Sequence, residues 1–527
     1  MVFFSQTAGI WEQIENVRKW VGFGFNHIDV WDLNGRRSEM ANSQELKQAV
    51  LHGDAARIAK QHADGKLTAR ERVAKLLDQG SFVELGVLVA KELDYAGVVT
   101  GYGTVQGRPV YVFAQDYTVH GGAMGELHAQ KVNKLLDMAL KTGAPVIAMC
   151  DSAGVRIDEG PAGMEAYASI YAKMARLSGV CPMISMILGP VCGGAAMIAQ
   201  LADISIHAGD VGRLMVYGPQ VVSAVTGKTV DAKSLGGAEN CAKQGGVAIA
   251  CANEEEAIAC AQKVLDLLPS CNADDAPAVD TDDLNRTMDV NDPDNGVELM
   301  QALADHGDIV ELYATWGDSL HTALARVGGQ TVGIVASEGS VDDGMLTPAA
   351  CAKGARFVRF CDCFSIPVIS LINSKGIQVP EAKSQSWTMI TASQLLYAYA
   401  EATTPKISVV VGNAIGQAYV AMAGKANADI SYAWPGSVIS ALTPEAAVQV
   451  LYEDELISDK KPALETRHEL EVKYATEVTD GGSAASKGFL DDVIVPSDTR
   501  KYVIAALEML ASKRETVPPK KHGNMPL

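Results

Sequence analysis

Positive charge is in short supply in this chain. Its 527 residues carry 44 Lys and Arg against 63 Asp and Glu, a formal charge of −19 and a pI near 5.0. That balance argues against nucleic acid or an anionic membrane as the main partner. A small anionic ligand stays open, because local cations or backbone N–H groups hold one whatever the net charge. No Cys-x-x-Cys occurs among the ten scattered cysteines, Cys361 and Cys363 being the closest pair. Buried thiols in a reduced, cytoplasmic compartment fit this pattern better than a disulfide frame or a metal cage. A Walker-type phosphate loop and a His/Glu metal pattern are also missing, so no metal is expected. One stretch, residues 177–202, holds no charge, but Pro182, Pro190 and the Gly193-Gly194 pair break it up. It reads as a buried strand, a tight turn and a helix start rather than a membrane span. No apolar segment leading to a small-residue cleavage site marks a secretory signal.

What the chain does have begins unevenly. Residues 1–39 hold four of the ten Phe and three of the six Trp with little periodicity. Met40 then opens a polar helical stretch, directly after Gly35-Arg36-Arg37-Ser38-Glu39. Were the two arginines encoded AGG-AGG, they would form a bacterial ribosome-binding sequence. Residues 1–39 then read as a leader ahead of a start at Met40. The alternative is a genuine aromatic arm that packs on a neighbouring subunit.

The body of the chain repeats itself. Pro145, Val146, Ile147, Ser152 and Gly154 recur 222 positions later as Pro367, Val368, Ile369, Ser374 and Gly376, and Lys131 recurs as Lys353. At 223, Pro182, Ile184, Ser185, Gly193 and Ala195 match Pro405, Ile407, Ser408, Gly416 and Ala418; at 226, residues 202–205 match 428–431. Such a steady register marks a duplicated domain. Each half reads as a strand pair, a helix, an apolar β-rich run, a Gly/Ser turn, a helix, a second apolar run and a Gly-rich turn into a helix. Short continuous Val/Ile runs alternating with helices predict an α/β fold with strands buried on both faces. The expected division is 40–269, an acidic, Pro-containing linker over 270–297, and 298–527.

Two turns carry the chemistry. Gly193-Gly194-Ala195 and Gly416-Gln417-Ala418 each follow an apolar strand and open an apolar helix. Small residues there let a ligand approach the backbone, and a helix start directs unpaired N–H groups outward. Adjacent N–H groups form an oxyanion hole; structural glycine packing is the plainer alternative. In Asp151-Ser152-Ala153-Gly154-Val155-Arg156, a serine nucleophile would need a base such as His120 or His128, and nothing in the spacing pairs them. The Ser152 hydroxyl reads as a cap, and Arg156 with Glu159 as an ion pair near the site mouth.

Taken with GKLTARERVAKLLDQGSFVELG, DSAGVRIDEG, KGARFVRFCDCFSIPV, LLYAYAEATTPK, ADISYAWP and the ending GFLDDVIVPSDTRKYVIAALEML…KKHGNMPL, these motifs resemble the carboxyltransferase subunits of biotin-dependent acyl-CoA carboxylases and decarboxylases. The likeness runs from Leu67 to Leu527. It implies two tandem crotonase-like ββα-superhelix domains and a homo-oligomer, a hexamer or dimeric unit. It implies an active site between the N-half of one subunit and the C-half of another. By this resemblance Gly193, Gly194 and Ala195 hold the acyl-CoA thioester, with Ser152, Ala153, Gly154 and Arg156 lining that side. Gly416, Gln417 and Ala418 hold the ureido oxygen of biotin, with Gly376 and Tyr419 beside them. Two holes would serve the two anions of the reaction, a thioester enolate and a ureido anion.

The biotin-bearing Ala-Met-Lys-Met turn of carrier domains and a glycine-rich ATP-grasp pattern are absent. Biotin is therefore expected on a separate carboxyl carrier protein, alongside a biotin carboxylase or a membrane decarboxylase subunit. The chain departs from the family at Ser374–Pro380, at Thr388–Ala392, at 239–250 (ENCAKQGGVAIA) and at Gln417, where a glycine is usual. A backbone donor survives at Gln417 only with a negative φ. The competing readings are a non-catalytic assembly paralogue and a crotonase-fold hydratase or hydrolase; the latter lacks an identifiable Glu pair or Ser/His arrangement.

Overall fold

The computed structural model describes residue 44 and residues 46–526, apart from 92–93, 280–281, 291, 457–462 and 479. The expectations for residues 1–39 lie outside that range. A first unit, Met1–Gly53, is helical over residues 46–52; the second, Asp54–Leu527, carries everything that follows.

Within it stand two eight-stranded sheets. The first is built from β1 (Val83–Leu85), β2 (Val98–Val105), β3 (Arg108–Gln115), β4 (Val146–Ser152), β5 (Met183–Cys192), β6 (Ile204–Ala208), β7 (Arg213–Met215) and β8 (Ile249–Cys251). The second uses β9 (Ile309–Leu312), β10 (Leu320–Val327), β11 (Gln330–Ser337), β12 (Val368–Ser374), β13 (Lys406–Ile415), β14 (Ile430–Ala433), β15 (Val438–Ser440) and β16 (Asp492–Val493). The strand orders correspond one to one: β1-β2-β3-β4-β5-β6-β8 with β7 on β5, and β9-β10-β11-β12-β13-β14-β16 with β15 on β13. In each sheet the first two pairings are antiparallel and the rest parallel.

Register repeats too. Val146 faces Met183, and Val368 faces Lys406; both ladders then slip at the same point, so that Ser152 pairs with Val191 and Ser374 with Ala414. Every residue of β4 and of β12 is buried, as expected of a parallel strand covered on both faces. The charge-free stretch 177–202 becomes a helix end, β5 and a helix start; among the described residues no helix is long and apolar enough to cross a membrane.

The helices that frame the sheets are α1 (Ala55–Ala63), α2 (Ala69–Leu76), α3 (Glu126–Thr142), α4 (Pro161–Leu177), α5 (Gly194–Leu201), α6 (Pro348–Cys363), α7 (Gln385–Glu401) and α8 (Gln417–Met422). Local chemistry sets several ends. Thr68 and Glu71 close a capping box on α2, and Thr347 caps α6 with Pro348 in its first turn. Gly143, at φ 67°, ends α3 in the left-handed conformation that glycine takes without penalty. One apolar core runs through both halves, from Leu188 and Ile206 to Leu324, Val335 and Phe357, and the Tyr313 N–H donates to Ala248 O across them at 2.7 Å. The 270–297 segment starts on the first half, where Cys271 packs and the Asn272 N–H donates to Val180 O at 2.9 Å, and further on Met288 is buried among Leu299, Leu303 and Val503 of the second.

Candidate functional site

Each half ends its central strands in the same pair of turns. After β5, Gly193 has φ 59° and ψ −125°; after β13, Gly416 has φ 55° and ψ −126°. That left-handed backbone favours glycine at both. Their own N–H groups are already engaged, Gly193 with Met215 O and Val216 O at 3.1 Å and Gly416 with Ser440 O at 2.8 Å. They therefore shape the turn and donate inward. Among the described residues no backbone carbonyl accepts from the N–H of Gly194, Ala195, Gln417 or Ala418. Gln417 has a negative φ, so its donor keeps the helix-start geometry.

The second turn comes from the ends of β4 and β12. Gly154 (φ 115°) and Gly376 (φ 112°) fold back so closely that a Cβ would stand 3.5 Å from Cys192 O and 3.4 Å from Ile415 O. This brings residues 152–156 against 192–195, and 374–378 against 415–418. Ser152 Oγ accepts from the Gly154 N–H at 3.2 Å, and Ser374 Oγ from the Gly376 N–H at 3.2 Å. The serine is thus a turn cap, as read from the sequence, and no His ring is among its partners. Sequence reasoning missed Val155 and Ile377. Short parallel bridges, Met124 to Val155 and Leu346 to Ile377, use the amides on either side of each. The Val155 and Ile377 N–H groups are left without a backbone acceptor.

Side chains around the two turns differ. The Tyr167 ring fills the space over Gly194, where a Cβ would meet three ring atoms at 2.7 Å. Its hydroxyl, beside Ser152 and the Ala195 N–H, closes an ordinary hydrogen bond with neither, and burial pushes its pKa up. Tyr171 stacks on that ring at 5.8 Å and donates to Gly194 O at 2.9 Å. When α4 and α7 are aligned end to end, Thr391 falls where Tyr167 stands. Thr391 is buried and the Gln417 side chain is exposed.

Arg156 pairs with Asp158 at 3.1 Å and Glu159 at 3.4 Å, the ion pair expected. Ala153 is exposed and Gly154 buried, while the Tyr419 hydroxyl donates to Phe489 O at 3.3 Å. Beneath the first turn, fully buried Asp151 accepts from Lys66 Nζ at 3.0 Å and Arg72 Nη1 at 2.8 Å, and Arg72 also pairs with Glu254 at 2.6 Å. The same position in the second half is Asn373, which accepts from the Asn413 N–H at 2.9 Å and donates to Asp294 at 2.6 Å. A cavity of ≈ 340 Å³ adjoins the first turn, lined by Arg57, Lys60, Gln61, Tyr117, Thr118 and His120 among others. Its Gly121 wall approaches Ala153 to 3.4 Å, measured from an added Cβ. Among the described residues no group of three or more His, Cys, Asp or Glu is placed to hold a metal ion.

The two halves thus repeat one arrangement, a pair of glycine-shaped turns that leaves main-chain N–H groups without a backbone acceptor among the described residues. The chain belongs to the carboxyl transferase family, whose domain model matches residues 60–525. It is 41% identical over 508 residues to the methylmalonyl-CoA decarboxylase subunit alpha of Veillonella parvula, covering 92% of this chain and 98% of that one. It is 39% identical to the propionyl-CoA carboxylase beta chain of Cereibacter sphaeroides, covering 93% and 99%. Among solved structures, the hexameric transcarboxylase 12S with methylmalonyl-coenzyme A bound superposes with TM-score 0.89 at 37% identity, covering 95% of this chain and all of that one. The duplicated crotonase-like architecture expected from the repeats is therefore the fold.

Proposed function

We propose that this chain is the carboxyltransferase subunit of an acyl-CoA carboxylase or decarboxylase, moving a carboxyl group between a malonyl-type CoA thioester and biotin on a separate carrier. The observation that carries this reading is the doubled set of N–H groups with no backbone acceptor among the described residues, Gly194, Ala195 and Val155 in one half and Gln417, Ala418 and Ile377 in the other. Residues 40–269 would serve the thioester and residues 298–527 the biotin.

In the decarboxylating direction, the bond between the thioester α-carbon and the carboxyl carbon breaks. Its electron pair passes to the thioester oxygen, which the first donor set stabilises as an enolate. The carboxyl carbon bonds to the ureido nitrogen, whose proton goes to the α-carbon; the second donor set holds the ureido oxygen meanwhile. No side-chain base is needed. Gly193 and Gly416 fix the turns, and Tyr167 excludes water beside Gly194. Arg57 and Lys60, in the cavity next to Ala153, suit the phosphates at the far end of CoA.

Exposed apolar residues flank both turns. The helix Pro219–Thr226 buries none of its residues, Val225 is 80% exposed, and Val420 and Phe489 are exposed in the second half. Those faces fit a second copy of the chain, which would set one N-half against another's C-half. A biotin carboxyl carrier and a biotin carboxylase or membrane decarboxylase subunit complete the proposed cytoplasmic assembly.

The test is transfer of carboxyl label from methylmalonyl-CoA, malonyl-CoA or glutaconyl-CoA to biotin by the purified chain. Transfer from at least one is expected. No transfer from any, with biotinylated carrier present, would make the chain a non-catalytic assembly subunit.

A further inference from the structure

The two halves place their turns alike and then arm them differently. In the first, the tip residue Ala153 faces Gly121, an added Cβ on the latter standing 3.4 Å away. In the second, the residue 222 positions on from Ala153 is Lys375, and that from Gly121 is Asp343. A contact between two small residues has become an ion pair, Lys375 Nζ to Asp343 Oδ1 at 3.2 Å.

The facing loops share a backbone. His120 and Gly121 have φ 51° and 63°; Asp342 and Asp343 have φ 49° and 59°. Two successive side-chain-bearing residues in the left-handed region are held there against their preference, though aspartate tolerates it better than most. Asp342 lies 3.5 Å from Gln378 Nε2, so both aspartates address the 375–378 turn. Lys375 is two residues from Ile377, whose N–H has no backbone acceptor among the described residues, and Gly376 between them folds against the end of β13 just before Gly416 and Gln417. Lys375 thus stands on the same turn as the second donor set.

The pair is loosely held. The Lys375 side chain is 41% exposed and that of Asp343 77% exposed, so water screens the attraction and another anion can replace the aspartate.

We propose that Lys375 is a specificity residue of the second cleft. It exchanges Asp343 for the carboxylate of a cyclic urea carboxylated on nitrogen, whose urea oxygen rests on the Ile377 and Gln417 N–H groups. The cleft thereby prefers the carboxylated ligand to the bare urea. This rests on the carboxyltransferase reading above and adds a charge-reading element to its biotin side.

The experiment compares the full chain with Lys375→Met, Lys375→Arg and Asp343→Asn, using free biotin as carboxyl acceptor and N-carboxybiotin as donor. Lys375→Met is expected to raise KM for N-carboxybiotin about fivefold, the upper range for a partly exposed ion pair. KM for biotin and for the CoA thioester should stay within about twofold, the scatter of substitutions that touch neither ligand. Lys375→Arg should restore most of the loss, and Asp343→Asn should lower KM for N-carboxybiotin by freeing the ammonium. An unchanged KM for N-carboxybiotin in Lys375→Met overturns the proposal, as does an equal rise for biotin or for the thioester. If the unaltered chain transfers no carboxyl group, the fault lies in the underlying reading. Equilibrium binding of N-carboxybiotin and of biotin, measured by calorimetry on the unaltered chain and Lys375→Met, then decides for Lys375 alone.

Discussion

Adding a single carbon at Gly194 should disable the first hole and leave the rest of the molecule standing. The backbone there is not the obstacle, since the φ of Gly194 is not positive. The obstacle is Tyr167: a Cβ would lie 2.7 Å from its Cδ2, Cε2 and Cζ atoms, far inside ordinary contact. The ring is 6% exposed and stacked on Tyr171, so it has little room to withdraw, and the helix start must shift instead. Overpacking of this kind costs about 1–3 kcal/mol of stability. Misplacing one oxyanion donor costs about 2.7–4 kcal/mol of barrier, roughly 100- to 1,000-fold in rate. Gly194→Ala should therefore lower carboxyl exchange about 100-fold or more while the chain still folds. A double-mutant cycle with Tyr167→Thr, the residue found at the aligned place in the second half, isolates the clash. The two stability losses should be non-additive by more than about 0.5 kcal/mol in urea unfolding. Exchange within about twofold of the unaltered chain would put the thioester oxygen elsewhere, because losing a hole donor costs far more than that. Strict additivity would show that Tyr167 is not what requires the glycine.

Gln417→Gly should change exchange by less than about twofold, because the donor is the backbone N–H and its φ is already negative; a larger change in rate at saturating biotin would give the amide side chain a role. Asp203, which accepts from the Met183 N–H at 2.8 Å, has its pKa pushed up to about 6 by burial, partly offset by that bond and by Arg356. Its folded pKa lies above the unfolded value, so stability is fullest below pH about 4 and declines as pH rises through about 6. Asp203→Asn should remove that decline and raise stability at pH 8 by on the order of 2 kcal/mol, read from urea midpoints across pH; an unchanged profile would refute the assignment.

The duplication was legible because identity in strands and turns survives at a nearly constant offset, and the glycine turns because left-handed backbone leaves a residue-type signature. Val155 and Ile377 left none, since a backbone donor is made by the bridge on either side of it and any residue supplies the N–H. Tyr167 was hidden because its ring reaches Gly194 from a different helix. The change from Gly to Gln at 417 looked like damage in sequence; with a negative φ and an exposed side chain it is accommodated at the helix start. Gly193 and Gly416 were expected to donate outward, and folding commits their N–H groups to neighbouring carbonyls. The ion cluster on Asp151 joins residues 66, 72 and 254, separations at which single-sequence patterns carry no information.

The slip in register between β4 and β5, repeated between β12 and β13, bears on where this molecule can be divided. At each slip a glycine of the longer strand, Gly189 or Gly412, leaves space that the Asp151 or Asn373 side chain occupies, an added Cβ meeting it at 2.0 or 2.4 Å. The wedge is the same shape in both halves, but it is tied to different stretches of chain. Asp151 is held by Lys66 and Arg72, upstream of every strand of its sheet, and Asn373 by Asp294, in the segment between the sheets. A first half trimmed to begin at Val83 would keep all eight strands and strand a buried carboxylate without its cations, at a penalty of about 3–5 kcal/mol. The heritable unit of this duplication is therefore larger than the sheet: each copy travels with the stretch of chain ahead of it that holds its wedge in place.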